Sequence, residues 1–151
     1  MLFHKLISTA FGLGYIGRGA GSCAAAVTCA CWYFFQSQYT NPLLWPLLIT
    51  EIIIVLGILS ADKVEESWGK DHQRVVVDEV AGMCITLLFV PLKPVYLVIG
   101  FLLFRVLDIC KPLYIRRMEK LPGGWGVMAD DILAGIYANA ILQLFICYKL
   151  I

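Results

Sequence analysis

The sequence predicts an all-α integral membrane protein: a compact bundle of four to five transmembrane helices with a glycine-rich, interfacial segment at its N-terminus. Three observations predict it. Of the 151 residues, 60% are hydrophobic and only 15% are charged, whereas a soluble domain has about 45–50% and about 25%. The mean hydropathy is +0.81. Apolar runs of helical length recur along the chain and are parted by short polar or proline-bearing connectors. The length fits one domain, residues 1–151.

Composition also excludes function classes. The net charge is +1, and no basic run is interleaved with aromatics, so a nucleic-acid binder is not expected. The six cysteines (Cys23, Cys29, Cys31, Cys84, Cys110 and Cys147) lie in apolar stretches without a CxxC pair. They read as small hydrophobes, not as metal ligands or disulfide partners. The first twenty residues hold glycines and Arg18 where a signal peptide needs an unbroken apolar core, so a retained N-terminus is expected.

Each element follows from local chemistry. Residues 1–19 carry His4, Lys5 and Arg18 and run into glycines at 12, 14, 17, 19 and 21. That many glycines cannot hold a continuous helix. An interfacial helix over 2–11 is expected, followed by either a flexible entry segment or a loop whose backbone N–H groups approach a phosphate. A first apolar helix, 21–35, is short for a span, and its alanines suit close helix packing. A polar turn over 36–41 ends at Pro42, and a second helix runs over 42–61 with Glu51 near its middle. Residues 62–74 are the most charged stretch and are expected as a solvated loop. The third helix, 75–90, is stopped by Pro91 and Pro94. The fourth, 95–110, ends before Pro112. A basic connector with Arg116, Arg117 and Lys120 leads to Gly123, Gly124 and Gly126, then to a last helix over 127–148. No internal repeat stands out.

Carboxylates are conspicuous in this apolar frame, because each costs about 2.5–3.5 kcal/mol at the centre of a membrane helix. Asp78 and Glu79 open the third helix, Asp108 closes the fourth, and Asp130 and Asp131 open the fifth. With five helices and a cytoplasmic N-terminus, ten of the twelve Lys and Arg residues fall on the cytoplasmic side, leaving Lys93 and Lys149 outside. The positive-inside rule expects that bias. The same topology brings all five carboxylates to the cytoplasmic face. Oxygen-only clusters suit Mg2+, which is often shared with substrate phosphates. Arg105, Lys111, Arg116 and Arg117 lie at the same level and are placed to grip a phosphate. Acids near helix N-termini are favourable in any case, and an ion pair with Arg105 or Lys111 would account for Asp108 alone. Three acid sites converging beside a basic connector favour a metal–phosphate site.

At these residues the chain resembles the phosphatidylglycerophosphatase A family of bacterial membrane lipid phosphatases. The resembling blocks are DHQRVVVDEVAGMCITL (71–87), FRVLDICKPLYIR (104–116) and GGWGVMADDILAGI (123–136). The family pattern has an acid, often followed by His, upstream of V-x-D-E-x-x-G-M, then F-R-x-x-D-x-x-K-P, then G-G-x-G-I-M-x-D-D-x-x-A-G. Three ordered motifs make a specific match over about the C-terminal half. Further upstream, the family's P-G-T-x-G-S loop is matched only by GRGAGS (17–22), which keeps Gly21 and Ser22 but lacks the proline and threonine. The resemblance implies Mg2+-dependent hydrolysis of phosphatidylglycerophosphate to phosphatidylglycerol and phosphate, in the bacterial inner membrane with the site facing the cytoplasm. It implies Asp78, Glu79, Asp108, Lys111, Asp130 and Asp131 as catalytic positions, the five acids among them as metal ligands. Arg105, Arg116, Gly21, Ser22 and Asp71 are implied as substrate contacts. Membrane lipid is the expected surrounding partner, and a homo-oligomer is compatible with the chain.

Two rivals come from other classes. A CDP-alcohol phosphotransferase also clusters aspartates, but its D-G-x-x-A-R…G-x-x-x-D-x-x-x-D pattern is absent. A small transporter or ion-path subunit would spread acids through the membrane depth, and here only Glu51 is expected deep.

Overall fold

The computed structural model describes residues 1–36, 38, 41, 43–69 and 72–150. It is all-helical, with no strand among the described residues: α1 (Leu2–Ser8), a 3-10 turn (Leu13–Ile16), α2 (Ala20–Gln36), α3 (Leu44–Trp68), α4 (Val77–Leu87), α5 (Pro94–Cys110), α6 (Ile115–Met118) and α7 (Gly123–Cys147). α2, α4 and α7 run away from one end of the bundle, and α3 and α5 return to it. That end also carries α1, the 3-10 turn and α6.

The expected helices all form, with shifted ends. Residues 62–68 do not loop out but extend α3, because Val64 is buried and the charges around it lie on the outer face, where Lys63 pairs with Glu66. α7 begins at Gly123, four residues earlier than expected, so Asp130 and Asp131 lie two turns inside it instead of at its opening. Glycine permits that early start. A methyl group at Gly124 would collide with the Ile58 carbonyl of α3, and one at Gly126 with the Leu121 carbonyl.

Among the described residues two helices, α3 and α7, are long and apolar enough to cross a membrane, fewer than the four to five spans expected. At 25 residues each they reach about 37 Å, against about 30 Å of hydrocarbon. The exterior is apolar where a soluble protein's would be polar. Val98, Leu102 and Val106 of α5, and Ile52, Val55 and Leu59 of α3, all stand exposed. Small residues point inward instead: Gly57, Ser60 and Ala61 on α3, and Ala134, Gly135 and Ala138 on α7. Small-inside, large-outside packing is what helices adopt in lipid.

α4 is only 11 residues long, about 16 Å, so it reaches halfway down α7 and stops. Its last carbonyls need partners. Asn139 of α7 donates to the Thr86 and Leu88 carbonyls at 2.9 and 2.8 Å, and Gln143 also donates to the Leu88 carbonyl. Without these donors the last α4 carbonyls would be left unpaired.

Candidate active site

One turn of each of two helices sets up the site. Gly82 of α4 and Gly135 of α7 face each other: a methyl at Gly135 would strike the Gly82 carbonyl, and one at Gly82 would strike the Asp131 carbonyl and the Phe104 ring. Four residues before each glycine, one helical turn toward the polar end, stand Asp78 and Asp131. Four residues after each stand Thr86 and Asn139, which also meet. Close backbone contact at the glycines thereby holds the two aspartates together. Both helices carry the pattern D-x-x-A-G at this level, as DEVAG (78–82) and DILAG (131–135).

The oxygens of Asp78, Glu79 and Asp131 lie within 4.8 Å of one another. They line a polar pocket of about 270 Å³ together with Asp108, Lys111 and Asp130. Glu79 Oε2 and Asp130 Oδ1 are buried without a hydrogen-bond partner. Buried carboxylate oxygens left unpaired among other acids are costly, and a hard cation is the natural complement to such an oxygen-only set. The residues present therefore fit Mg2+.

Lys111 caps α5 in the left-handed conformation, φ 45°, which turns its side chain from the helix into the pocket. Its ammonium donates to Asp130 Oδ2 at 2.6 Å and to Glu119 Oε1 at 2.5 Å. Burial pulls the Lys111 pKa down, but the two carboxylates more than offset this and hold it above its ordinary value. Lysine at this position stays charged. Arg105 and Asp108 form a largely buried ion pair at 2.5 Å, so one oxygen of Asp108 is engaged on its own helix.

The N-terminal segment closes the pocket. The Val76 N–H donates to the Ser8 carbonyl at 2.9 Å, and Gly14 packs against the Arg74 carbonyl. Gly17 and Gly19 both have positive φ, 90° and 87°, and the loop between them lines the pocket with Arg18, Ala20 and Gly21. Any side chain at Gly21 would run into the Glu79 carboxylate.

Seven of the expected site residues thus meet in one pocket: Asp78, Glu79, Asp108, Lys111, Asp130, Asp131 and Gly21. Ser22 and Arg105 do not line it, although Arg105 pairs with Asp108, which does, and Arg116 is exposed on α6. Asp71 lies outside the described residues. The transporter's deep acid is not an internal one, since Glu51 faces outward on α3. Sequence reasoning did not select Arg18, His72 and Gln73, which also line the pocket, or Glu119, which pairs with Lys111. The glycines flanking Arg18 were the available signal for it.

A bundle with a lipid-type exterior and a carboxylate pocket at one end defines a membrane-associated enzyme class. The sequence profile of the family described as Phosphatidylglycerophosphatase A matches residues 6–146. An Escherichia coli K12 protein named Phosphatidylglycerophosphatase A is 32% identical over 142 residues, covering 91% of this chain and 80% of its own. A Haemophilus influenzae protein of the same name is 41% identical over 95 residues, 61% of this chain and 58% of its own. A Bacteroides thetaiotaomicron protein provisionally named a phosphatidylinositol-3-phosphatase is 43% identical over 142 residues, 88% of this chain and 87% of its own. No solved structure matches the chain. The chain belongs to the phosphatidylglycerophosphatase A family, and it is an enzyme, a phosphoric monoester hydrolase of the phosphatidylglycerophosphatase type.

Proposed function

We propose that the protein hydrolyses phosphatidylglycerophosphate to phosphatidylglycerol and phosphate, using Mg2+ held by Asp78, Glu79 and Asp131 with Asp108 and Asp130 beside them. The observation that carries this reading is the three-carboxylate group from two helices, in a pocket floored by a glycine loop. A divalent cation bound there supplies Lewis-acid polarisation of the phosphoryl group and lowers the pKa of water. The chain's own residues do the rest. Lys111, kept charged by Asp130 and Glu119, stands at the pocket wall to neutralise equatorial phosphoryl oxygens. Gly17, Gly19 and Gly21 leave only Arg18 and the small Ala20 as side chains on this stretch of wall, so a phosphate can approach the backbone. Arg105 holds Asp108 in place.

In this reading the bundle crosses the bacterial inner membrane with α2, α3, α5 and α7 as spans and α4 as a half-length insert. The polar end faces the cytoplasm. Lys5, Arg18, Lys63, Arg74, Lys111, Arg116, Arg117 and Lys120 all belong to that end, and Lys93 and Lys149 to the other. The acyl chains stay in the bilayer while the headgroup enters the pocket.

A second headgroup has a specific observation in its favour: the 43%-identical relative carries a phosphatidylinositol-3-phosphatase name. Phosphate release from purified protein, measured side by side on phosphatidylglycerophosphate and phosphatidylinositol 3-phosphate with Mg2+ and then with chelator, tests both. Release from the first lipid, abolished by chelator, is expected. Release from only the second would transfer the assignment to phosphoinositides. Sidedness is tested separately: a cysteine at Lys93 is expected to label from the periplasm and one at Lys120 only from the cytoplasm.

A further inference from the structure

Beside the polar pocket lies a second cavity of opposite chemistry. It is a groove of about 280 Å³ bounded by α2, α3, α4 and, from the N-terminal segment, Ile7, Ala10, Phe11 and Leu13, and it is lined almost wholly by apolar side chains. Ala24, Thr28, Cys31 and Phe35 recur along it at helical spacing on α2, and Val77 and Val80 form its floor on α4. Thr28 contributes no free polarity, because its hydroxyl donates to the Ala24 carbonyl.

Position and girth identify what fits. The groove begins where the polar pocket ends. Ala24 is one turn beyond Ala20, and Val77 and Val80 bracket Asp78 and Glu79 on the same turn of α4, so one helix turn presents acids to one cavity and valines to the other. From Ala24 to Phe35 the stripe runs about 16 Å, close to the depth of one leaflet of an about 30 Å hydrocarbon core. The groove's volume of about 280 Å³ is well short of the roughly 1300 Å³ that a helix some 10 Å across would fill over the same distance. A single hydrocarbon chain fits this space, and a partner helix does not. Val27, Cys31 and Phe35 are exposed along its rim, so the groove opens sideways, where a chain can enter from the bilayer.

We propose that this groove is an acyl-chain subsite, which seats one fatty chain of the lipid substrate along α2 while its phosphate occupies the acid pocket. The proposal rests on the lipid-phosphatase reading above. A chain that leaves the bilayer for a protein groove gains little from the hydrophobic effect, since both surroundings are apolar. Its role is therefore register, fixing the depth and angle at which the headgroup meets the carboxylates. Remote binding of this kind is felt in turnover.

The test fills the groove. Val27→Trp and Cys31→Trp are compared with wild type and with Val98→Trp, on the outer face of α5. Substrates are the same phosphate headgroup on two sixteen-carbon and on two six-carbon chains. In the groove variants, kcat/KM on the long-chain lipid is expected to fall about tenfold or more, with less than a twofold change on the short-chain lipid and neither value altered in Val98→Trp. Equal losses on both lipids, or no loss on the long one, would overturn the subsite. Photocrosslinking with a long-chain lipid phosphate bearing a diazirine at mid-chain gives a readout independent of hydrolysis. Adducts on α2 between Val27 and Phe35 support the groove, and adducts confined to the outer faces of α5 and α7 overturn it. If wild-type protein hydrolyses neither lipid, the phosphatase reading fails, and the crosslinks still decide the groove.

Discussion

α4 and α7 share three residues of a five-residue stretch, DEVAG (78–82) and DILAG (131–135), yet they place them differently. α4 is a half-length helix whose acids occupy its first turn and stay half-buried. α7 is a full-length helix whose acids lie two turns deep, with Asp130 and Asp131 only 6% and 3% exposed. The difference lies outside the shared residues. Gly124 and Gly126 let α7 start early against α3, whereas α4 cannot start before Val77 because its entrance is tied to Ser8 and Gly14 of the N-terminal segment. A carboxylate's chemistry here depends on where its helix begins, and only the pairing of a shallow helix with a deep one makes a pocket open to one face.

The comparison makes both helices necessary, so the largest expected effects are at their matched aspartates. Asp78→Asn and Asp131→Asn keep size and hydrogen bonding but remove charge, and each is expected to lower phosphate release by about 10³-fold. A variant of one helix retaining more than a tenth of wild-type turnover would leave the site to the other helix alone. Lys111→Ala comes next. Loss of one transition-state charge donor is expected to cost about 10²-fold, with divalent-cation affinity nearly unchanged, since an ammonium has no lone pair to offer a cation. Asp108→Ala is expected instead to weaken cation binding. Rescue of Lys111→Ala by excess Mg2+ would reassign lysine to metal retention.

Smaller effects report on the frame. Gly135→Ala pushes α4 from α7 and is expected to cost about 1–3 kcal/mol of stability, read by thermal unfolding in detergent, with activity falling because Asp78 and Asp131 part. Asn139→Ala removes two donors to the α4 terminus and is expected to cost about 1–2 kcal/mol, again by thermal unfolding. Arg116→Ala, exposed and outside the pocket, is expected to change turnover by less than about twofold, a surface substitution.

Much of this was legible in the chain. The apolar runs, the prolines at 91, 94 and 112, and the acids at 78, 79, 108, 130 and 131 identify the helices and the end where the acids gather. Three things were not. The early start of α7 was hidden because Gly123, Gly124 and Gly126 read locally as helix breakers, and only contact with α3 makes them helical. The half-length of α4 was hidden because its stop is satisfied by Asn139 and Gln143, more than fifty residues away. Arg18 and Arg116 are equally basic in sequence, and only the fold turns the first into the pocket and the second away from it.

We propose that α4 and α7 hold a divalent cation between them. Mn2+ titration of the purified protein, followed by electron paramagnetic resonance, addresses this without reference to turnover. We expect saturable binding in wild type and in Lys111→Ala, weakened by about tenfold or more in both Asp78→Asn and Asp131→Asn. Binding unchanged in either aspartate variant would contradict a shared site.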